Sequence, residues 1–204
     1  MASGNPVILL AGLGNPGDRY AATRHNVGHW FIERLQQQYP INFKLEKKFK
    51  AETGYFVHDD QTIRIVVPNT YMNLSGQSVA PMAAFYRIPA EQILVVHDEL
   101  DLDPGTARLK SGGGHGGHNG LRDITRCLGT GDYCRLRIGI GHPGAERDVS
   151  GYVLSRPNIT QRKQIDDAID RSLEVLPDIL AGNLQQAMNN LHGPNRTKTT
   201  KGKN

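Results

Sequence analysis

Cysteines, aromatic side chains and long apolar runs are all scarce in this 204-residue chain. Aromatic residues make up 6%, with one tryptophan, and the two cysteines are Cys127 and Cys134. Two thiols without CxxC spacing make neither a disulfide framework nor a zinc-type pair, and they suit a reducing, cytoplasmic setting. No apolar stretch approaches the ~20 residues needed to span a bilayer. The apolar segment near Val7 has no basic leader and breaks into glycine, so no export signal is expected. What remains is 38% apolar and 22% charged, with 23 glycines. A chain this long removes roughly 70% of its unfolded surface from water on folding, without needing a metal or disulfide.

The net charge is +4, and its position qualifies what it implies. Residues 193–204 hold Arg196, Lys198, Lys201 and Lys203 and no acid. Their composition predicts a disordered basic tail after a single domain spanning residues 1–192. Within that domain, residues 104–147 carry Arg108, Lys110, Arg122, Arg126, Arg135, Arg137 and Arg147 against Asp123, Asp132 and Glu146. Residues 163–181 carry Asp166, Asp167, Asp170, Glu174 and Asp178. One region can face a polyanion that the other repels.

Apolar periodicity predicts alternating elements. Val7–Ala11 reads as a strand covered on both faces, and Thr23 as the cap of a helix running to about Gln38. Lys50–His58 and Thr62–Val67, joined by Asp59 and Asp60, predict a hairpin. A helix from Ser75 to Tyr86, strands at Ile93–His97 and Thr106–Lys110, a helix at Asn119–Leu128 and a strand at Tyr133–Ile140 follow. Helices at Gln161–Leu180 and Leu184–Leu191 complete the pattern. The expected fold is a single-domain α/β protein with a mixed, mostly parallel twisted sheet and helices on both faces.

Polar residues collect where the apolar runs end. Val7–Ala11 leads to Asn15 and then His25; Ile63–Val67 leads to Tyr71, Met72 and Asn73; Ile93–Val96 runs into His97 and Asp98. Open α/β sheets hold their sites beyond the carboxyl ends of strands. Four such loops, counting Ser111–Asn119, can bring Asn15, His25, Asn73, Asp98, His118 and Asn119 together. A histidine beside a buried carboxylate is suited to general-base work, and asparagine amides suit a carbonyl oxygen. With no GxSxG elbow present, water is the nucleophile to expect, and an ester or amide the bond to be cleaved.

Two further patterns are weighed and set aside. Gly12–Gly17 spells GxGxxG, but no second strand ends in an acid at the dinucleotide spacing. His97, His115 and His118 lack the spacing of a zinc site. No cofactor and no metal are expected.

The segments GLGNPGDRYAATRHNVGHW, TYMNLSGQSV, VVHDELDLDPGTARLKSGGGHGGHNGLRDI and RLRIGIGHP resemble those of the bacterial-type peptidyl-tRNA hydrolases, from about Val7 to Leu191. The resemblance implies a three-layer α/β fold and a monomeric, metal-independent cytoplasmic esterase. Such an enzyme frees tRNA by cleaving the bond between a peptide and the 3′ ribose. It implies His25 as catalytic base, Asp98 as the residue orienting it, and Asn15 as a discriminator of peptidyl-tRNA from aminoacyl-tRNA. Asn73 and Asn119 would lie near the ester, with Tyr20, Tyr71, Met72, Gly116 and His118 lining the channel. Position 71 is often Phe in that family, and Tyr71 keeps the ring face. The CCA end could stack on Tyr20 or Tyr71, and Lys110, Arg108 and Arg137 could hold acceptor-stem phosphates. A non-catalytic RNA-binding module of the same fold is the alternative, although it would not need the set of His25, Asp98, Asn15 and Asn73.

Overall fold

The computed structural model describes residues 4–144 and 148–192. Glu146, Arg147 and the basic segment 193–204 lie outside the described residues. The strands are β1 (Leu9–Gly12), β2 (Lys44–Glu46), β3 (Ala51–His58), β4 (Gln61–Pro68), β5 (Ile93–Glu99), β6 (Ala107–Ser111) and β7 (Cys134–Gly139). The α-helices are α1 (Asp18–Ala21), α2 (Val27–Gln36), α3 (Gly76–Tyr86), α4 (Asn119–Leu128), α5 (Val149–Val153), α6 (Ile159–Glu174), α7 (Leu176–Leu180) and α8 (Leu184–His192).

The strands form one sheet in the order β2-β3-β4-β1-β5-β7-β6. The central strands β4, β1, β5 and β7 run parallel, and both margins are antiparallel. β1 is central because its side chains are apolar on both faces. Leu10 joins a core with Phe31, Leu94, Ile165 and Ile179 on one face. Leu9 and Ala11 join Val79, Met82, Val95 and Ile124 on the other. Each leucine buried this way contributes roughly 1.5–3 kcal/mol. Helices therefore cover both faces of a mixed sheet, as the patterning predicts. The hairpin also forms as expected: Asp59 and Asp60 adopt φ of 46° and 60°, as a two-residue turn between twisted strands requires.

The departures are local. Thr23 does not cap a long helix. Its hydroxyl donates to the Tyr20 carbonyl at 2.8 Å, a 3-10 turn occupies Arg24–Asn26, and α2 runs only from Val27 to Gln36. Contacts to other loops hold Arg24 and Asn26 in that tight turn. A short helix, α1, follows Gly17 where no helix was expected. The predicted helix over 161–180 divides at Val175, just before Pro177, which has no N–H to continue the ladder. β2 and α5 are short elements without a periodic signal.

Two glycines set the distance between α2 and the sheet. A Cβ on Gly28 would lie 2.3 Å from the Leu13 nitrogen and 2.5 Å from the Val96 oxygen, and one on Gly12 would lie 2.6 Å from the Gly28 oxygen. Helix and strand ends thus meet backbone to backbone, which brings the 3-10 turn ahead of α2 over the carboxyl ends of β1 and β5. Gly12 and Gly14, part of the GxGxxG pattern, have this packing role: a Cβ on Gly14 would strike the His29 ring at 2.6 Å. No helix among the described residues is long and apolar enough to cross a membrane.

Candidate active site

Asp98 ends the buried run of β5 and is only 3% exposed. Its Oδ1 accepts two hydrogen bonds, from His25 Nδ1 at 2.8 Å and from His118 Nε2 at 3.0 Å. Burial alone would raise the Asp98 pKa, but the two imidazoles outweigh it and hold the carboxyl well below the usual carboxylate range. At His25, burial works against the cation, yet the Asp98 charge and hydrogen bond prevail and raise the imidazole above 6.5.

The tautomers follow from the bonding. His118 caps α4, its Nδ1 accepting the Leu121 N–H at 3.4 Å. The His118 proton therefore sits on Nε2, facing Asp98. His25 presents Nδ1–H to the same oxygen, which leaves its Nε2 free as a base. The neighbouring His97 is turned away from this chemistry. Its Nδ1 donates to the Asp98 carbonyl at 2.7 Å, and burial pushes its pKa down to about 3.

Asn15 and Asn26 lock the loop after β1 to the His25 turn. The Asn15 backbone N–H donates to Asn26 Oδ1, and Asn26 Nδ2 donates to the Asn15 carbonyl, both at 2.9 Å. The Asn15 side chain, 7% exposed, accepts the Met72 backbone N–H on Oδ1 at 2.7 Å. Its orientation is thereby fixed, and Nδ2 remains as a donor without a partner among the described residues. Met72 itself is buried in the core and serves the site through its backbone. Gly120 lets the start of α4 lie against Met72, since a Cβ there would meet its sulfur at 2.6 Å. Asn73 and Asn119 are thus carried on two segments packed together, both exposed, with Asn119 Oδ1 accepting from Arg122.

Two aromatic residues named from the resemblance, Tyr20 and Tyr71, stand close together. The Tyr20 and Tyr71 rings are edge to face, 6.4 Å apart, with Tyr71 55% exposed. Gly116 stands exposed in the glycine-rich loop with φ of 56°. Lys110 and Arg137 lie apart from this cluster, towards the β6 edge. Lys110 is exposed on β6, while Arg137 Nε binds Glu99 at 2.8 Å.

Two other cations of residues 104–147 are already engaged. Arg135 is 2% exposed, and its guanidinium binds the carbonyls of Gly113, Gly114 and Gly131. It clamps the glycine-rich loop and cannot face a polyanion. Arg126 pairs with Asp123. Nothing in the sequence spacing marked Arg24 or Asn26, yet both hold the site. The Arg24 guanidinium binds Ser155, the Arg156 carbonyl and Gln161 and stacks over Tyr152 at 4.1 Å, which fastens the turn after α5 to the His25 turn.

The ligand atoms of His25, Asp98 and His118 lie within 4.8 Å of one another, a different trio from His97, His115 and His118, whose spacing does not suit zinc. A cation there would replace the two hydrogen bonds that align His25. Left as they are, the groups form a base with an open nitrogen and a carboxylate behind it, on a turn that Asn26 locks to Asn15. This arrangement can activate water against a carbonyl carbon.

A family model described as peptidyl-tRNA hydrolase matches residues 9–201. The peptidyl-tRNA hydrolase of Pseudomonas savastanoi pv. phaseolicola is 56% identical over 187 residues, covering 91% of this chain and 96% of that protein. That of Neisseria meningitidis serogroup A is 52% identical over 188 residues, covering 92% and 98%. Among solved structures, peptidyl-tRNA hydrolase from Acinetobacter baumannii superposes with a TM-score of 0.88 at 49% identity, over 91% of this chain and 94% of that one. A peptidyl-tRNA hydrolase complexed with N-propanol gives a TM-score of 0.90 at 47% identity, over 93% and 96%.

Proposed function

The chain belongs to the peptidyl-tRNA hydrolase family and hydrolyses peptidyl-tRNA, and we propose that it does so with a water activated by His25. The observation that carries this proposal is the bond from His25 Nδ1 to Asp98 Oδ1, which leaves Nε2 unprotonated and open. Nε2 takes a proton from water as the oxygen attacks the ester carbonyl carbon. The oxyanion that develops is met by amide donors from Asn73 and Asn119. The ester C–O bond then breaks, and the imidazolium returns its proton to the leaving ribose oxygen. Asp98 stays ionised throughout and steadies the imidazolium. No step in this route calls on a metal or cofactor.

Asn15 supplies the discrimination. With Oδ1 committed to Met72, it offers only N–H. That group pairs with the carbonyl of a blocked amine or peptide, whereas an ammonium brings donors alone and leaves both sides unmatched. Tyr20 and Tyr71 offer ring faces to the single-stranded CCA end, and Lys110, Arg108 and Arg137 hold acceptor-stem phosphate. We take the protein to act as a monomer and in the cytoplasm, where translation makes its substrate.

The test compares release of N-acetyl-aminoacyl and unblocked aminoacyl groups from tRNA. The native protein is expected to release the blocked form, and His25→Ala to lower kcat by roughly 10²–10⁴ with tRNA affinity unchanged. Undiminished turnover in that variant removes His25 from the mechanism.

A further inference from the structure

The surface around the carboxyl end of β1 is divided by charge. Towards β5, β7 and β6 stand exposed Lys110, Arg108, which also donates to the His192 carbonyl, and Arg137, which shares its charge with Glu99. On the other side, towards β4 and β3, a cavity of about 350 Å³ opens against Asn15. Its wall includes Asp18, Glu33, Glu52, His29 and Asn69, and no lysine or arginine. Among the described residues, no hydrogen bond or ion pair engages the carboxylates of Asp18, Glu33 or Glu52. Burial raises the Glu33 pKa, and Arg162, on α6, partly offsets it. His29 adds no positive charge at neutral pH, because burial pushes its pKa down to about 4.

Asn15 makes this more than an acidic patch. It is nine-tenths buried, belongs to the cavity wall, and carries an amide nitrogen without a partner among the described residues. An ester bound beside Asn15 has two halves. RNA phosphate is drawn to the basic side and repelled by the three carboxylates, so the acidic side is left to the acyl half.

We propose that this cavity receives the peptide residue preceding the one esterified to tRNA and favours a cationic side chain there. The proposal rests on the ester-cleaving role of the His25 site and deepens it: the cavity sets which peptides are released fastest.

The experiment compares tRNA carrying N-acetyl-lysyl-glycine, N-acetyl-norleucyl-glycine or N-acetyl-glutamyl-glycine, each hydrolysed by the full chain under kcat/KM conditions. Norleucine keeps the lysine carbon chain without the amine. Lysine is expected to exceed norleucine by about two- to fivefold, the range of an exposed ion pair, with glutamate slowest. The ratio should fall towards one in Glu52→Gln combined with Asp18→Asn or Glu33→Gln, and as salt is raised. Because the readout is a ratio on one protein, a general loss of activity in a variant cancels. Equal rates for the three substrates, or a lysine preference that survives neutralisation of the carboxylates, overturn the proposal alone. Failure to release any of them overturns the ester-cleaving role as well.

Discussion

His118 Nε2 lies 3.0 Å from Asp98 Oδ1, the oxygen that already receives the His25 proton. The second donor spreads the carboxylate's charge over two partners and moderates its pull on His25. In His118→Ala the whole charge falls to His25. Its pKa, already above 6.5, is expected to rise further, and the base form is then reached at higher pH. The acid limb of kcat/KM against pH should therefore move up. The plateau should fall by roughly tenfold, about 1.4 kcal/mol, and loss of the α4 cap should remove about 1 kcal/mol of stability. An acid limb that stays in place would show that His118 only caps the helix.

Asp98→Asn separates charge from orientation. Both imidazole N–H groups point at one oxygen, so an amide can keep its Oδ1 there and preserve the His25 tautomer. The Coulombic support is lost while the burial of His25 remains. Its pKa is then expected to drop below 6.5, carrying the acid limb down. The plateau should fall by roughly 10²-fold because the imidazolium formed during attack is no longer stabilised. The pH profile is the measurement, and its movement is opposite to that of His118→Ala. An upward shift would contradict the electrostatic account of this triad.

Gly28→Ala tests the closeness of α2 to the sheet. The added Cβ would lie 2.3 Å from the Leu13 nitrogen and 2.5 Å from two backbone oxygens, none of which can rotate away. The helix must back off from β1 and β5, at a cost of about 3 kcal/mol, which for a chain of this size lowers Tm by roughly 6–12 °C. Because the His25 turn leads directly into α2, activity should fall even at temperatures where the variant is folded. Calorimetry and an assay well below Tm check the two parts separately.

The framework was legible because its signals are local. The apolar run of β1, the two aspartates of the hairpin and the Asn119–Leu128 pattern each specify their element within a few residues. His25, Asp98, Asn15 and Asn73 stood out because polar residues followed β1, β4 and β5. The support around them was hidden for the opposite reason. The bonds from His118 to Asp98, Asn15 to Met72 and Arg24 to Gln161 join residues 20, 57 and 137 positions apart, and no spacing within a segment records them. Arg135 misled for a related reason: an arginine in a strand has the same sequence signature whether it faces solvent or clamps the Gly113 and Gly114 carbonyls.

Lys110 and Arg137 differ in a way that salt dependence can read. Lys110 is exposed on the edge strand β6 and has no ion pair among the described residues, so its whole charge is available to a phosphate. Arg137 shares its charge with Glu99 at 2.8 Å. Each phosphate neutralised contributes about −0.9 to the slope of log K against log salt. Lys110→Ala should therefore flatten that slope by about one in tRNA binding. Glu99→Gln, by releasing the Arg137 guanidinium, should tighten binding and steepen the slope by about one. Unchanged slopes in both variants would mean that the acceptor-stem phosphates are held elsewhere on the molecule. A steeper slope in Glu99→Gln alone would assign the phosphate to Arg137 and leave Lys110 as a solvated edge residue.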